Sequence, residues 1–380
     1  MQVITTNMKP KKRTLTYDFL IKLVSFTKGL AFHSIEEHFQ ENRKDFDSPY
    51  PSALLANHVS EADIIALSIV YPRLNPKIKM IIPAREDILK KDFLQKEFRA
   101  KGLLKLIFTL IDKSSIIPLL LGYIGCVPIK RPFRDNSREL LKKGELRETV
   151  DAEWNDLVVN INSGRNLFMF PEGTYNQDGF LNQIKKGAYY LKTKITDIQF
   201  NSFTFTYDHL TYPKLKLHIS YGSPFRLTQE QDVDSVTKAI KEKFGKSYVL
   251  TLGNLTSFIL LKLGHHTKIT QEKLFSVIES VKEKVQKKYP EILIASELKK
   301  GLNSGSLSTL LTKLKSGKYI DWKEGEIQIL EPLVTIPKTL NNLKKSNIVL
   351  YHKNQLTHHL ASLDGIWDSL PEASGVVPTT

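Results

Sequence analysis

Apolar residues along this chain keep two alternating rhythms up to about residue 226 and mainly one after it. Short apolar runs at 52–56, 77–83, 127–129, 167–170, 199–207 and 215–221 predict strands, several of them bounded by Pro, Gly or Asp. Between them, apolar positions at helical spacing predict helices over 61–71, 103–121 and 135–163, with another starting at Gly187. Gly144 is a candidate interruption of the third helix. Alternation of strands and helices predicts an α/β domain. From about Gln229 the chain reads as mainly helical and lysine-rich. Its clearest helix spans 270–289, with Leu274, Val277, Ile278, Val281 and Val285 on one face, and 303–308 reads as a Gly/Ser-rich break.

The first 13 residues are polar, end in Lys9, Lys11, Lys12 and Arg13, and read as a frayed tail. Over 15–32, Phe19, Leu20, Leu23, Val24, Phe26 and Leu30 crowd one broad helical face. Two readings stand for it: a membrane-surface helix aided by the basic run, or a helix packed on the protein's own core. The expected organisation is an N-terminal basic tail and amphipathic helix (1–45), an α/β domain (46–226) and a mainly helical region (227–380). Whether the last is a separate domain or a helical cap is left open.

Composition narrows the class. A chain of 380 residues holds one large domain or two ordinary ones, and 41% apolar residues fit a packed protein. A net charge of +15 suits anionic lipid headgroups, anionic substrates or nucleic acid. No nucleic-acid module is recognisable, so nucleic acid is not expected as a partner. The single cysteine, Cys126, permits no intrachain disulfide and fits a reducing location. No charged segment followed by an apolar core opens the chain, so no secretory signal is expected. The longest apolar stretch, 103–129, is interrupted by Lys105, Asp112 and Lys113. Its half at 116–127 is too short to span a bilayer and contains Pro118. It reads as buried or interfacial. Together these predict a protein that is peripheral on the cytoplasmic face of a membrane, or cytoplasmic.

Three clusters carry candidate chemistry. His58 stands five residues before Asp63, just after the apolar run 53–56. On one regular helix the two would sit about 140° apart and would not meet. With His58 in a loop and Asp63 in the first helical turn they can meet, and the carboxylate then favours the helix N-terminus. Ser60 is a candidate N-cap, and the plainer reading of the segment is capping chemistry alone. Gly125 to Arg131 supplies Lys130 and Arg131 after a short strand, a phosphate-type pair or simply solvated cations. Phe170 to Thr174 follows another strand: Gly173 lets backbone approach a ligand, Glu172 and Thr174 can contact a hydroxyl, and the bland alternative is a strand-ending turn.

In this order and spacing the clusters resemble the glycerolipid acyltransferase superfamily, which includes lysophosphatidate and glycerol-3-phosphate acyltransferases. The resemblance covers roughly 52–210 and implies a mixed sheet flanked by helices. It implies His58 as the general base for the acceptor hydroxyl and Asp63 as its orienting partner. It further implies Arg131 as a phosphate-binding arginine and Glu172 and Gly173 as acceptor-binding residues. Phe203 to Asp208 is similar to a fourth motif but lacks its proline, and Lys186-Gly187-Ala188 fits the stretch after the third. Residues 350–355 resemble the tail of glycerol-3-phosphate acyltransferases. One departure matters: where members using phosphorylated glycerol carry an arginine after Glu-Gly-Thr, this chain has Tyr175. Lys130, Arg131, Arg134, Lys185 or Lys186 can compensate.

The expected reaction is therefore acyl transfer from an acyl-CoA or acyl carrier protein thioester to a hydroxyl of a glycerol-phosphate lipid, with 1-acyl-glycerol-3-phosphate favoured. Alternatives are glycerol-3-phosphate or another lysolipid as acceptor, and a non-enzymatic lipid-binding protein of the same fold. The acyl thioester is a co-substrate; no cofactor or metal is expected. The partners expected are the thioester carrier, the lipid acceptor and an anionic membrane surface. The stretch 116–127 reads as core, with an acyl tunnel as the alternative. His265-His266 and His358-His359 lack the spacing of a helical metal site. Cys126 reads as a packed thiol, and Gly122 to Gly125 lacks the residues of a nucleotide loop.

Overall fold

The computed structural model describes residues 9–39, 46–60, 62–85, 102–129, 146–175, 177–338 and 342–370. Its centre is a seven-stranded sheet in the order β1 (Phe32–Phe39), β9 (Leu215–Tyr221), β8 (Gln199–Asp208), β3 (Ser52–Ala56), β7 (Asn166–Met169), β5 (Met80–Arg85), β6 (Cys126–Ile129). All neighbours pair parallel except β8 and β9, so the sheet is mixed. A short parallel pair, β2 (Phe46–Asp47) with β4 (Leu74–Asn75), lies outside it.

The run 53–56 forms the middle of this sheet because both its faces are covered. Leu54 and Ala56 enter one core with Phe168, Phe203 and Leu217, while Ala53 and Leu55 enter another with Ile81, Leu167 and Phe200. The longer helices described in this part are α1 (Leu15–Phe26), α2 (Asp63–Val70), α3 (Leu103–Ser114), α4 (Ile116–Ile124), α5 (Leu146–Asn162) and α6 (Gly187–Lys194). The expected helix over 135–163 is described from Leu146 onward; Gly144 lies outside the described residues.

Beyond residue 227 follow α7 (Val233–Lys246), α8 (Leu252–Leu263), α9 (Gln271–Lys288), α10 (Ser304–Ser316), α11 (Ile348–Asn354) and α12 (Leu360–Trp367). This region is mostly helical, with its own core around Leu255, Ile278, Leu310 and Ile327. It also holds a small antiparallel sheet that periodicity did not reveal: β10 (Lys268–Thr270), β12 (Glu326–Ile329) and β11 (Ile320–Lys323).

Four local expectations are corrected. Residues 303–308 are no break: Asn303 caps α10, its side chain accepting from Gly305 N–H at 2.8 Å, so small polar residues here start a helix. The helix expected over 15–32 is present as Leu15–Phe26 and, after a break at Thr27, Lys28–Ala31, but the expected domain start at 46 comes too late: Phe32–Phe39 is the edge strand β1, drawn into the sheet by pairing with β9. Residues 9–13 are docked rather than frayed, with Lys11 N–H donating to Gly164 O and Arg13 N–H to Lys77 O. The stretch 116–127 is not the plain core segment it was read as. Ile116, Leu119 and Tyr123 stand exposed, Leu119 at 69%.

Candidate active site

Parallel pairing brings the first and third clusters together. Leu55 on β3 is in register with Met169 on β7, and each chain leaves the sheet at the same edge. His58 and Glu172 each lie three residues past that paired position. Crevices at the carboxyl ends of parallel strands are where such sheets bind ligands.

His58 sits in the loop between β3 and α2, and Asp63 is the first residue of α2. The His58 Nδ1–H donates to Asp63 Oδ2 at 2.7 Å. Asp63 is wholly buried, while the His58 side chain stays 21% exposed. Asp63 Oδ2 also accepts from Val59 N–H at 2.8 Å and Ser60 N–H at 3.1 Å, and its Oδ1 accepts from the Tyr207 hydroxyl at 2.6 Å. This corrects the expected N-cap: Asp63 reaches back to the amides of the loop, while the Ser60 hydroxyl accepts only from Ala62 N–H at 3.2 Å. A carboxylate holding so many donors is fixed in place, and it fixes the imidazole tautomer with a lone pair on Nε2. The Phe170 ring stacks on the imidazole at 4.1 Å between centroids, and Tyr175 meets it edge-on at 5.5 Å.

Glu172 braces the same loop from the other side. Its Oε1 accepts from His58 N–H and its Oε2 from Asn182 N–H, each at 2.8 Å. Burial pushes its carboxyl up to about 7 against the pull of those two amides, with the nearby Asp63 charge adding to the rise. A side chain only 2% exposed, with both oxygens engaged, acts on the backbone that carries His58. Gly173 follows at φ +73°, a left-handed turn that favours glycine, and its N–H returns to Phe170 O at 3.0 Å. Thr174 is exposed. Lys185 lies beside the turn, its Cγ 3.8 Å from where a Gly173 Cβ would stand. Lys186, the N-cap of α6, is exposed too. Lys130, Arg131 and Arg134 lie outside the described residues.

Other residues support the site from further along the chain. Asn57 is wholly buried and ties β3 to β8, donating to Phe205 O and accepting from Phe205 N–H, while also donating to the Tyr248 hydroxyl. Residues 350–355 fall on α11 and its end, where Asn354 donates to Asp178 O and Gln355 to Tyr207 O. The tail thus braces the loop after Thr174, with Gly179 close against Tyr351 O, where a Cβ would stand only 2.1 Å away. Tyr207, which holds Asp63, lay inside a run read only as a strand with a motif likeness.

A comparison with protein-family models matches the family described as Acyltransferase over residues 34–201. The chain carries an acyltransferase domain of the glycerolipid acyltransferase family. No curated protein matches the chain. The matched stretch of the acyltransferase begins inside β1, takes in β2 through β7, His58, Asp63 and the Glu172 turn, and ends inside β8. The family implies an acyl donor and an acceptor. Among the described residues no helix of the acyltransferase is long and apolar enough to cross a membrane. Cys126 is half-buried, and burial pushes its thiol up to about 12, which disfavours a nucleophilic role.

Proposed function

We propose that the acyltransferase works at a membrane surface and moves a fatty acyl chain from an acyl-CoA or acyl carrier protein thioester to a hydroxyl of a glycerol-phosphate lipid, with 1-acyl-glycerol-3-phosphate the favoured acceptor. The observation that carries the reading is the buried Asp63 carboxylate bonded to Nδ1 of a partly exposed His58. In this reading His58 Nε2 removes the proton from the acceptor hydroxyl as its oxygen attacks the thioester carbonyl. The tetrahedral intermediate collapses, the C–S bond breaks, and the imidazolium returns its proton to the departing thiolate. An ester and a free thiol result. Asp63 stabilises the imidazolium between the two transfers, and Glu172 keeps His58 in position through its backbone amide. The exposed Lys185 and Lys186 beside the Gly173 turn support an anionic acceptor.

Membrane attachment is supported by exposed apolar residues on adjoining helices. Leu15, Phe19, Leu23 and Phe26 of α1 are exposed, as are Leu106 and Leu110 of α3 and Ile116, Leu119 and Leu120 of α4. α1 and α4 are joined by a Thr14–Tyr123 hydroxyl pair at 2.8 Å and by the Tyr17 hydroxyl donating to Ile124 O at 2.8 Å. Exposed Lys9, Lys11, Lys12, Lys22 and Lys28 flank or interleave the α1 apolar residues. Apolar side chains next to lysines fit the interface of an anionic leaflet.

The test is thiol release from acyl-CoA, and then from acyl carrier protein, with lysophosphatidate, glycerol-3-phosphate and neutral lysolipids. Release that needs one acceptor and disappears in folded His58→Ala is expected. Wild-type turnover by that variant would overturn the role of His58. No release with any acceptor or donor would favour a lipid-binding protein.

A further inference from the structure

We propose that Glu36, His38 and His218 form a binding site for one divalent transition-metal ion, of the zinc(II) type, which clamps the edge strand β1 to β9. The site is on β1 and β9, the two strands at one side of the sheet, and involves none of the residues placed around His58. The parallel register sets Glu36 opposite His218, and His38 follows two residues on, so period-two alternation turns all three side chains to one face of the sheet.

Their ligand atoms already stand at ligand-to-ligand spacing. His38 Nε2 is 3.2 Å from His218 Nδ1. Glu36 Oε1 is 3.5 Å from His38 Nε2, and Glu36 Oε2 is 3.7 Å from His218 Nδ1. All three residues offer atoms within 4.8 Å of one another. A tetrahedral zinc ion with bonds of about 2.0–2.1 Å separates its ligand atoms by about 3.3–3.4 Å. Two imidazole nitrogens and one carboxylate suit zinc and its neighbours, not magnesium or calcium, which take oxygen.

The surroundings favour an added cation. Two carboxylates share one buried ammonium: Lys216 Nζ lies 3.0 Å from Glu36 Oε2 and 2.5 Å from Glu297 Oε2. Glu297 Oε1 is buried with no hydrogen-bond partner among the described residues, which is costly for a charged oxygen. Lys299, the other cation close enough to act on His38, is exposed to solvent. A dication on the imidazoles and Glu36 offsets the surplus negative charge, while Lys216 keeps Glu297. Glu36 is also anchored as metal-binding carboxylates are, accepting from Ser296 N–H and from the Ser296 hydroxyl, each at 2.9 Å. The Glu36 side chain is 19% exposed and that of His218 wholly buried, so an ion enters from the Glu36 side and takes water as its fourth ligand.

The experiment uses the full chain, stripped with a chelator, dialysed and titrated with cobalt(II), then with zinc(II) as competitor. One cobalt ion per chain is expected, with the visible absorption of a four-coordinate ion, displaced by zinc. His38→Ala, on the edge strand, should weaken binding at least tenfold, and Glu36→Gln, which keeps an acceptor for Ser296, should do the same. His33→Ala, a β1 histidine stacked instead on Tyr212, should bind as the wild type does. Circular dichroism and thermal unfolding establish that each variant is folded. Absence of stoichiometric binding by the folded wild type would overturn the proposal. So would equal affinity in His38→Ala and Glu36→Gln, which would assign the ion to other histidines such as His265 and His266. Neither readout depends on acyl transfer.

Discussion

Asp63→Asn separates the charge of Asp63 from its shape. Three N–H donors converge on Asp63 Oδ2, from His58, Val59 and Ser60, and one hydroxyl, from Tyr207, reaches Oδ1. Asparagine keeps a single acceptor oxygen. The two backbone amides hold that oxygen at the Oδ2 position, and the new NH2 group faces the Tyr207 hydroxyl, which can turn to accept. His58 therefore keeps its tautomer, and only the negative charge beside it is lost. With charge centres about 4 Å apart and an effective dielectric of about 20, that charge contributes about 4 kcal/mol to a full imidazolium. At about 1.4 kcal/mol per decade this bounds the loss near a thousandfold. The imidazolium is only partly formed in the transition state, so kcat should fall about a hundredfold to a thousandfold. Thiol release from acyl-CoA measures it, beside a denaturant titration that shows the variant folded. Asp63→Ala, which strands three donors, should lose more activity and also stability. A folded Asp63→Asn enzyme within about threefold of wild-type kcat would refute the reasoning.

Tyr207→Phe removes one bond to a buried carboxylate and should lower unfolding free energy by about 1.5–3 kcal/mol in urea titration; an unchanged midpoint would count against that bond. Glu172 sets a pH dependence. Its folded carboxyl is raised by burial to about 7 from the ordinary 4.5, so its contribution to stability is fully present below about pH 4.5 and lost as pH rises through about 7. The difference is about 3 kcal/mol, and Glu172→Gln, which mimics the protonated acid, should flatten the wild-type decline in unfolding midpoint between about pH 5 and 8. Phe19→Glu and Leu119→Glu should each weaken sedimentation with anionic vesicles by about tenfold or more, since each apolar side chain withdrawn from a lipid interface forfeits about 1.5–3 kcal/mol; unchanged sedimentation would remove α1 and α4 from the membrane contact.

Much of the acyltransferase fold was legible because its signals are local. The run 52–56 reads as a buried strand from its composition alone, and it forms β3 with the same bounds. The periodicity over 270–289 yields α9 with Thr270 as its cap, accepting from Lys273 N–H. β1 was not legible: His33, Glu36, Glu37 and His38 make a polar segment, and it is a strand because β9 offers an open edge. The polar face of β8 and β9 was hidden for another reason. Thr204, Thr206, Asp208, Lys216 and His218 are polar residue types that mostly stay exposed, yet all are buried. The later part of the chain covers three of them: Phe244 O accepts from Thr204, and Thr206 and Asp208 accept from Val249 and Gly253 N–H.

At the candidate site the division is similar. The sequence by itself determined which groups were available: a histidine after a buried strand, an aspartate opening a helix, and a Glu-Gly turn after a second strand. Spacing along one chain fixes such local neighbours, because backbone geometry limits where five residues can go. Only the tertiary structure decided that Glu172 grips the His58 amide and Asn182 rather than facing solvent, and that Tyr207, from a strand more than a hundred residues away, completes the Asp63 shell. It also decided that Glu36, His38 and His218 meet. Those contacts depend on strand order and register, which hydrogen bonding between distant segments sets and no local pattern records.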